Sequence, residues 1–110
     1  MTLGTLAVEL GWEALWEGWD DREVTGAYTS DLLSDVMARA EEGYLLVTVQ
    51  AHKNTVAVAV LKDLAAVLVA SGRPAPPDMV EAARNEGVPL FRTGLDQYGA
   101  SWRIHQAAGV

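Results

Sequence analysis

The sequence contains no cysteine in its 110 residues. This absence excludes disulfide bridges, thiolate zinc ligands and a cysteine nucleophile, and it is typical of proteins of a reducing compartment, so we expect a cytoplasmic location. Long apolar runs are also missing, because neither Thr55 to Leu61 nor Leu64 to Ala70 approaches the roughly 18 residues that a membrane span requires. Residues 1–10 lack the basic start and apolar core of a secretory signal, and we expect no membrane partner.

Basic residues are scarce. The chain has 8 Lys and Arg against 15 Asp and Glu, for a formal net charge of -7. A negatively charged chain repels phosphate backbones, so we expect no nucleic acid partner. The acidic residues are scattered along the chain, a pattern that indicates solubility rather than cation binding.

The motifs of common catalytic sites are absent as well. There is no GxxxxGK[ST] phosphate loop, no GxGxxG dinucleotide fingerprint and no GxSxG nucleophile turn. The two histidines, His52 and His105, are far apart in the sequence, which predicts no metal site. We therefore expect no catalytic residue and no cofactor, and a protein that is not an enzyme.

What the sequence does contain is typical of an α/β protein. Its length and a hydrophobic content of 50% predict one domain over residues 1–110 with a substantial core. Branched-aliphatic runs at Tyr44–Val49, Ala66–Val69 and Pro89–Arg92 alternate with longer segments of helical spacing. This alternation predicts a three-layer sandwich, in which a mainly parallel central sheet is covered by helices on both faces.

Four helices are predicted before, between and after these strands. The first begins at Ser30 as N-cap, with Asp31 in its first turn, and ends near Gly43. The second covers about Asn54 to Leu64, and the third begins at Pro76 and Pro77 and ends at Gly87. The last carries Leu95, Tyr98 and Trp102 on one side and ends at Gly109.

The N-terminal segment allows two interpretations. Thr2 to Leu10 has the spacing of a short helix, and Trp12 to Trp16 can follow it as a strand. Because Trp12, Trp16 and Trp19 also match helical spacing, a continuous helix is the alternative.

The candidate ligand site lies where the predicted strands end. From Thr48 to Asn54 a buried strand gives way to a helix through polar residues, and in open parallel sheets ligands bind at the carboxyl ends of strands. Asn54 is alternatively a helix N-cap, and His52 alternatively a hydrogen-bonded structural histidine. The loops after the other two strands should lie along the same edge. The candidate contacts to a small anionic ligand are Thr48, Gln50, His52, Asn54, Arg73 and Thr93.

Several segments, in order and at matching spacing, resemble the DRTGG-domain family. The Asp-Arg-Thr-Gly-Gly string itself is absent, and Asp21–Gly26 resembles the form found in the stand-alone subgroup. Ala51 and Ala75 replace the threonine and serine that are usual there. The matching segments are Asp21–Tyr28, Ser30–Ala38, Val47–Asn54, Ala57–Ala59, Gly72–Pro74 and Gly87–Leu90.

The resemblance implies a fold like the N-terminal domain of HPr kinase/phosphorylase, an α/β sandwich that commonly dimerises. It also implies a regulatory role, because such domains accompany catalytic domains of regulated pyrophosphatases and phosphotransacetylases. It supplies no catalytic residues.

Three hypotheses follow. The first is a non-catalytic regulatory domain, a homodimer formed through the Thr55 to Leu61 face or the tryptophan-rich N-terminal segment, that binds a nucleotide-like or other small anionic effector near His52. The second is a structural adaptor that binds another protein and no small ligand. The third is a component of a kinase-like or phosphotransfer system.

Overall fold

A computed structural model describes all 110 residues and contains five helices and five strands. The order of elements is α1 (Leu3–Leu10), β1 (Glu13–Ala14), β2 (Gly26–Thr29), α2 (Leu33–Arg39), β3 (Tyr44–Thr48), α3 (Lys53–Lys62), β4 (Ala66–Val69), α4 (Pro77–Glu86), β5 (Leu90–Arg92) and α5 (Gln97–Ala108).

The strands form one sheet in the order β1-β5-β4-β3-β2. Strands β2 to β5 are parallel, and only β1 pairs in the antiparallel sense, with Glu13 opposite Arg92. The three predicted strands coincide with β3, β4 and β5 to within two residues. Each of these strands is almost fully buried, as expected for strands covered on both faces.

Two apolar cores lie on opposite faces of the sheet. Alternate strand residues point to each side, so that Leu46 and Val67 join the core under α2, α3 and α4, whereas Leu45 and Phe91 join the core under α1 and α5. The predicted three-layer α/β sandwich with a mainly parallel sheet is therefore confirmed.

The start of α2 differs from the prediction. Ser30 is not the N-cap; its Oγ accepts the backbone N–H of Leu32 at 3.1 Å and closes a turn ahead of the helix. Asp31 consequently lies outside the helix, and Asp35 occupies the first turn instead. The helix also ends earlier than predicted, because Ala40 is its C-cap and Gly43 lies in the turn that precedes β3.

The predictions for α4 and α5 are largely confirmed. Helix α4 begins at Pro77 and is capped by Gly87 with a φ of 71°, and Gly109 caps α5. The apolar side predicted for α5 faces solvent, however: Tyr98 is 82% exposed and Trp102 53%. Leu95 was predicted on this helix but precedes it, because Asp96 is the N-cap. Smaller residues on the opposite side of α5, Ala100 and Ile104, fill the core.

The N-terminal segment follows the strand interpretation. Helix α1 forms as predicted, and Gly11 ends it with a φ of 70°. The chain then enters the two-residue strand β1, so the continuous helix through the tryptophans is wrong. Strand β2 was not predicted from the sequence.

Candidate functional site

The loops that follow β3, β4 and β5 leave the sheet at the same edge, as predicted. Backbone hydrogen bonds join them: the N–H of Ala70 donates to the oxygen of Thr48 at 2.9 Å, and the N–H of Gly72 donates to the oxygen of Thr93 at 2.8 Å. A third bond runs from the N–H of Ser71 to the oxygen of Leu95 at 2.7 Å. The three loops therefore form one connected rim.

Side chains within the β3–α3 loop determine its shape. Thr48 is fully buried, and its Oγ1 accepts the N–H of Gln50 at 3.0 Å. Thr55 donates its hydroxyl to the backbone oxygen of Gln50 at 2.8 Å. Both contacts hold the loop against the start of α3. Thr48 and Thr55 are buried, so they fix the conformation of the rim and do not form its surface.

His52 is the N-cap of α3. Its Nδ1 accepts the N–H of Asn54 at 3.0 Å, so Asn54 is not the cap, and the structural interpretation of His52 accounts for one of its ring nitrogens. Because Nδ1 is an acceptor in this contact, the neutral ring carries its proton on Nε2. His52 is exposed, and Nε2 makes no hydrogen bond within the chain.

The rim carries positive charge without internal partners. Lys53 and Arg73 are both exposed, and neither belongs to any of the four ion pairs of the chain. Lys53 lies in the first turn of the 10-residue α3, where the helix dipole also favours an anion. This combination of groups is suited to a small anion.

A polar cavity of about 410 Å³ opens at the end of β5. Thr93 lines it, and its Oγ1 accepts the N–H of Leu95 at 3.3 Å. Arg92 also lines it but is paired to Glu13 through contacts of 2.8 and 3.2 Å, which neutralise its charge. We call this the strand-end cavity; it is lined by Gly11, Glu13, Gly72, Arg92, Thr93 and Gly94.

Asn54 faces a different concavity. It lies with Lys53 at one end of a groove of about 510 Å³ between α3 and α4, whose floor is mostly apolar and includes Val60 and Leu61. The six predicted contact residues therefore share an edge of the sheet but not one cavity: Thr93 lines the strand-end cavity, Asn54 lines the helix groove, and Thr48, Gln50, His52 and Arg73 line neither.

The first of the segments that carry the family resemblance, Asp21–Tyr28, begins at the other end of the sheet. Oδ1 of Asp21 accepts the N–H of Gly4 in the first turn of α1 at 2.8 Å. Nη1 of Arg22 contacts Oδ1 of Asp63 at 3.3 Å, just ahead of β4. The Arg22 guanidinium lowers the pKa of the Asp63 carboxyl below its ordinary value of 3.8.

Thr25 and Gly26 complete this arrangement. The Thr25 hydroxyl donates to the backbone oxygen of Glu42 at 3.2 Å, and a Cβ on Gly26 would lie 2.3 Å from the Tyr44 ring. A separate close approach excludes a side chain at Gly43, whose Cβ would lie 2.6 Å from Thr25 Oγ1. The segment Asp21–Gly26 thus holds α1, β2 and the residues ahead of β4 together, and it lies away from the rim.

Asp31 and Asp35 do not share a helix face, because only Asp35 lies within α2. Asp35 instead accepts the Tyr28 hydroxyl at 2.7 Å and pairs with Arg39 at 3.5 Å. The hydrogen bond to Asp35 raises the pKa of Tyr28. No group of three His, Asp or Glu residues is arranged to hold a metal ion.

None of the helices combines the length and apolar character that crossing a membrane requires. No protein-family model and no curated protein matches the chain.

Among solved structures, the chain is similar to the CBS and DRTGG domains of the regulatory region of Clostridium perfringens pyrophosphatase, which was solved with its activator, diadenosine tetraphosphate. The TM-score is 0.68 at 16% sequence identity, over 94% of this chain and 46% of that chain. The chain has a DRTGG-like fold. Because it spans less than half of the matched structure and shares few identities, the comparison establishes the fold and not the ligand.

Within this DRTGG-like fold, sequence reasoning found the rim but missed some of its parts. Lys53 was not singled out, although its place in the first turn of a helix that follows a strand was a usable signal. Glu13 and Gly11 reach the strand-end cavity only because β1 pairs with β5, a contact between distant segments that no local pattern reports.

Proposed function

We propose that this chain is a non-catalytic regulatory domain that binds a small anionic or nucleotide-like effector at the rim. The observation that carries the proposal is the presence of two unpaired cations, Lys53 and Arg73, on one edge of a chain whose net charge is -7. The net negative charge disfavours anions over the chain as a whole, so an edge that presents two unpaired cations is a place where an anionic ligand meets less repulsion.

The proposed contacts are the exposed polar groups of the rim. Gln50, His52 through Nε2, Arg73 and Thr93 offer hydrogen-bond donors, and Asn54 extends the set toward the helix groove. Thr48 is left out of direct contact because its side chain is buried. The comparison supports the regulatory part of the proposal, because the similar structure is a regulatory region that was solved with a nucleotide activator.

The proposal includes a homodimer formed through the outer face of α3. Leu61 is 72% exposed and Val60 42%, side by side on the apolar floor of the helix groove. Light scattering of the wild type and of Leu61→Asp tests this, with a dimer expected only for the wild type.

A protein-binding adaptor is the second candidate. It is favoured by exposed apolar side chains on α5 and just ahead of it, where Tyr98, Trp102 and Leu95 lie outside the core. Aromatic residues of this kind are enriched in protein interfaces. An adaptor of this type would bind its partner without any small ligand.

Thermal unfolding in the presence of nucleotides and other phosphorylated metabolites separates the two candidates. A ligand that binds only the folded chain raises the unfolding temperature by mass action, whereas an adaptor responds to none of them. The same samples are assayed for turnover, and conversion of a phosphorylated compound by the purified chain would overturn the non-catalytic assignment. A cytoplasmic location remains part of the proposal.

A further inference from the structure

The connection between β1 and β2 contains four residues that are held by no hydrogen bond. No backbone or side-chain atom of residues 17–20 donates or accepts a hydrogen bond within the chain. None of the four ion pairs involves these residues either, although Glu17 and Asp20 are charged and exposed. We call residues 17–20 the strap.

The residues on either side of the strap are fixed, in contrast. On one side the Nε1 of Trp16 donates to the oxygen of Val88 at 2.8 Å inside the core. On the other side Oδ1 of Asp21 accepts the N–H of Gly4 at 2.8 Å. The strap is therefore a short span between two anchors, and its movement requires neither anchor to break.

One side chain holds the strap against the sheet. Trp19 is partly buried and packs against residues of both apolar cores. Its ring meets that of Phe91 edge-on, with the centroids 5.3 Å apart. This aromatic contact and the apolar area removed from water favour the closed position of the strap.

The polar atom of the same ring opposes closure. The Nε1 of Trp19 is buried and has no acceptor. An unpaired buried donor is costly, because in water the same N–H would be hydrogen bonded. Opening of the strap would expose this N–H to water and break no hydrogen bond, whereas local opening of a helix or strand breaks several. The strap is thus the segment that this balance opens most readily.

Gly18 gives the strap a flexible point. Its φ is 93°, in the left-handed region that glycine adopts without strain, and a Cβ at this position would meet nothing within 4 Å. The backbone can therefore change conformation at Gly18 without a clash.

Two concavities would change shape with the strap. Glu17 and Trp19 line one of about 470 Å³, which Phe91 also lines, and Asp20 lines another of about 400 Å³. Phe91 is only 1% exposed in the closed position. Withdrawal of Trp19 would enlarge the first concavity and uncover the Phe91 ring.

We propose that the strap is a conformational gate that opens at Gly18 within the folded protein, takes Trp19 off the sheet and exposes Phe91. The gate is independent of the proposed effector site, because the strap contributes no residue to the rim or to the strand-end cavity. Trp19 suits this role, since its packing closes the strap while its unpaired N–H keeps the closed position from being strongly favoured.

Hydrogen exchange of the indole N–H groups, followed by NMR on the full chain, tests the gate. Trp16 and Trp19 carry the same chemical group, and both Nε1 atoms are buried, so the ratio of their exchange rates reports how often each is exposed. Trp16 should exchange only when the core opens, and Trp19 at least about 100-fold faster. Denaturant below the unfolding transition should accelerate Trp16 and leave Trp19 nearly unchanged, because opening the strap exposes little surface. Equal rates for the two indoles would overturn the proposal.

Two glycine variants locate the hinge. Alanine is strained at the positive φ of Gly18 (93°) and of Gly87 (71°), and neither new Cβ would meet an atom within 4 Å, so both variants destabilise the whole fold in the same way. Only Gly18→Ala destabilises the closed strap itself, so it should accelerate Trp19 exchange by about fivefold, while Gly87→Ala leaves that rate within about twofold. Equal effects of the two variants on Trp19 would mean that it exchanges through global unfolding, and the gate would be wrong.

Discussion

The indole Nε1 of Trp16 donates a 2.8 Å hydrogen bond to the backbone oxygen of Val88, which lies in the turn ahead of β5. Trp16 is 8% exposed and packs in the core beneath α2, α3 and α4. This bond holds the segment after β1 against the residues that precede β5. The adjacent strand β1 supplies Glu13 to the strand-end cavity, so the bond also fixes one wall of the candidate site.

Trp16→Phe is expected to lower the free energy of unfolding by about 1–3 kcal/mol, because the carbonyl of Val88 loses its partner inside the core. Denaturant unfolding followed by circular dichroism measures the change. Trp102→Phe serves as the control, since Trp102 is 53% exposed, and it should change the free energy by less than about 0.5 kcal/mol. Equal stability of both variants would show that the Trp16 bond does not hold the N-terminal segment.

Gly26→Ala is expected to lower the free energy of unfolding by about 1–3 kcal/mol through overpacking. The added Cβ would lie 2.3 Å from the Tyr44 ring, so either the ring or the start of β2 must move. Gly94→Ala is the matched control, because a Cβ there meets nothing within 4 Å. Chemical denaturation of the two variants side by side gives the comparison, and an undisturbed Gly26→Ala protein would contradict the structural role given to the motif.

Lowering the pH should weaken the ion pair between Asp63 and Arg22. The pKa of Asp63 is lower in the folded chain than its ordinary value of 3.8, so the folded state binds this proton more weakly than the unfolded state. The stabilisation is therefore present above that ordinary value and is lost as the pH falls through the folded pKa. Because both side chains are partly exposed, we expect about 0.5 kcal/mol.

Asp63→Asn isolates this contribution. Asp63 has a φ of 49°, and asparagine tolerates that left-handed conformation, so the variant removes the charge without adding backbone strain. Unfolding free energies measured from pH 7 to pH 3 should fall less steeply for the variant than for the wild type. Identical slopes would mean that the pair contributes nothing to acid sensitivity.

Strands β3, β4 and β5 could be predicted because they are apolar on both faces. Strand β2 could not, since Gly26, Ala27 and Thr29 carry little hydrophobic signal and the strand forms only by pairing with β3. The outward side of α5 was misjudged for a related reason. The large apolar residues Tyr98 and Trp102 dominate the hydrophobic pattern of the sequence, whereas the residues that pack against the sheet are Ala100 and Ile104.

The rim of the candidate site was predictable in position but not in detail. Parallel strands bring their carboxyl ends together, and this rule placed the loops correctly. Local hydrogen bonds decided the rest: His52 took the capping role expected of Asn54, and the hydroxyl of Thr48 turned inward to Gln50. The concavity lined by Trp12, Trp19 and Phe91 could not be predicted either, because both indole rings pack against Phe91 from a distant segment.

His52→Ala is expected to destabilise the chain by about 1 kcal/mol, because the N–H of Asn54 loses its capping acceptor. His52→Asn should retain most of that stability, since asparagine is a good N-cap, while it removes Nε2 from the rim. Thermal unfolding of both variants separates the capping role from the proposed binding role. If both are equally destabilised, the cap is not what His52 contributes.

The most direct test of the account is the affinity of the chain for tripolyphosphate with Arg73 intact and replaced. Arg73→Gln is compared with Arg84→Gln, which removes another exposed and unpaired arginine, located in the last turn of α4 and away from the rim. The account predicts saturable binding by the wild type and by Arg84→Gln, and an affinity at least about fivefold lower for Arg73→Gln, as expected for one lost charge-assisted contact. Equal binding by all three proteins, or no binding by any, would contradict it.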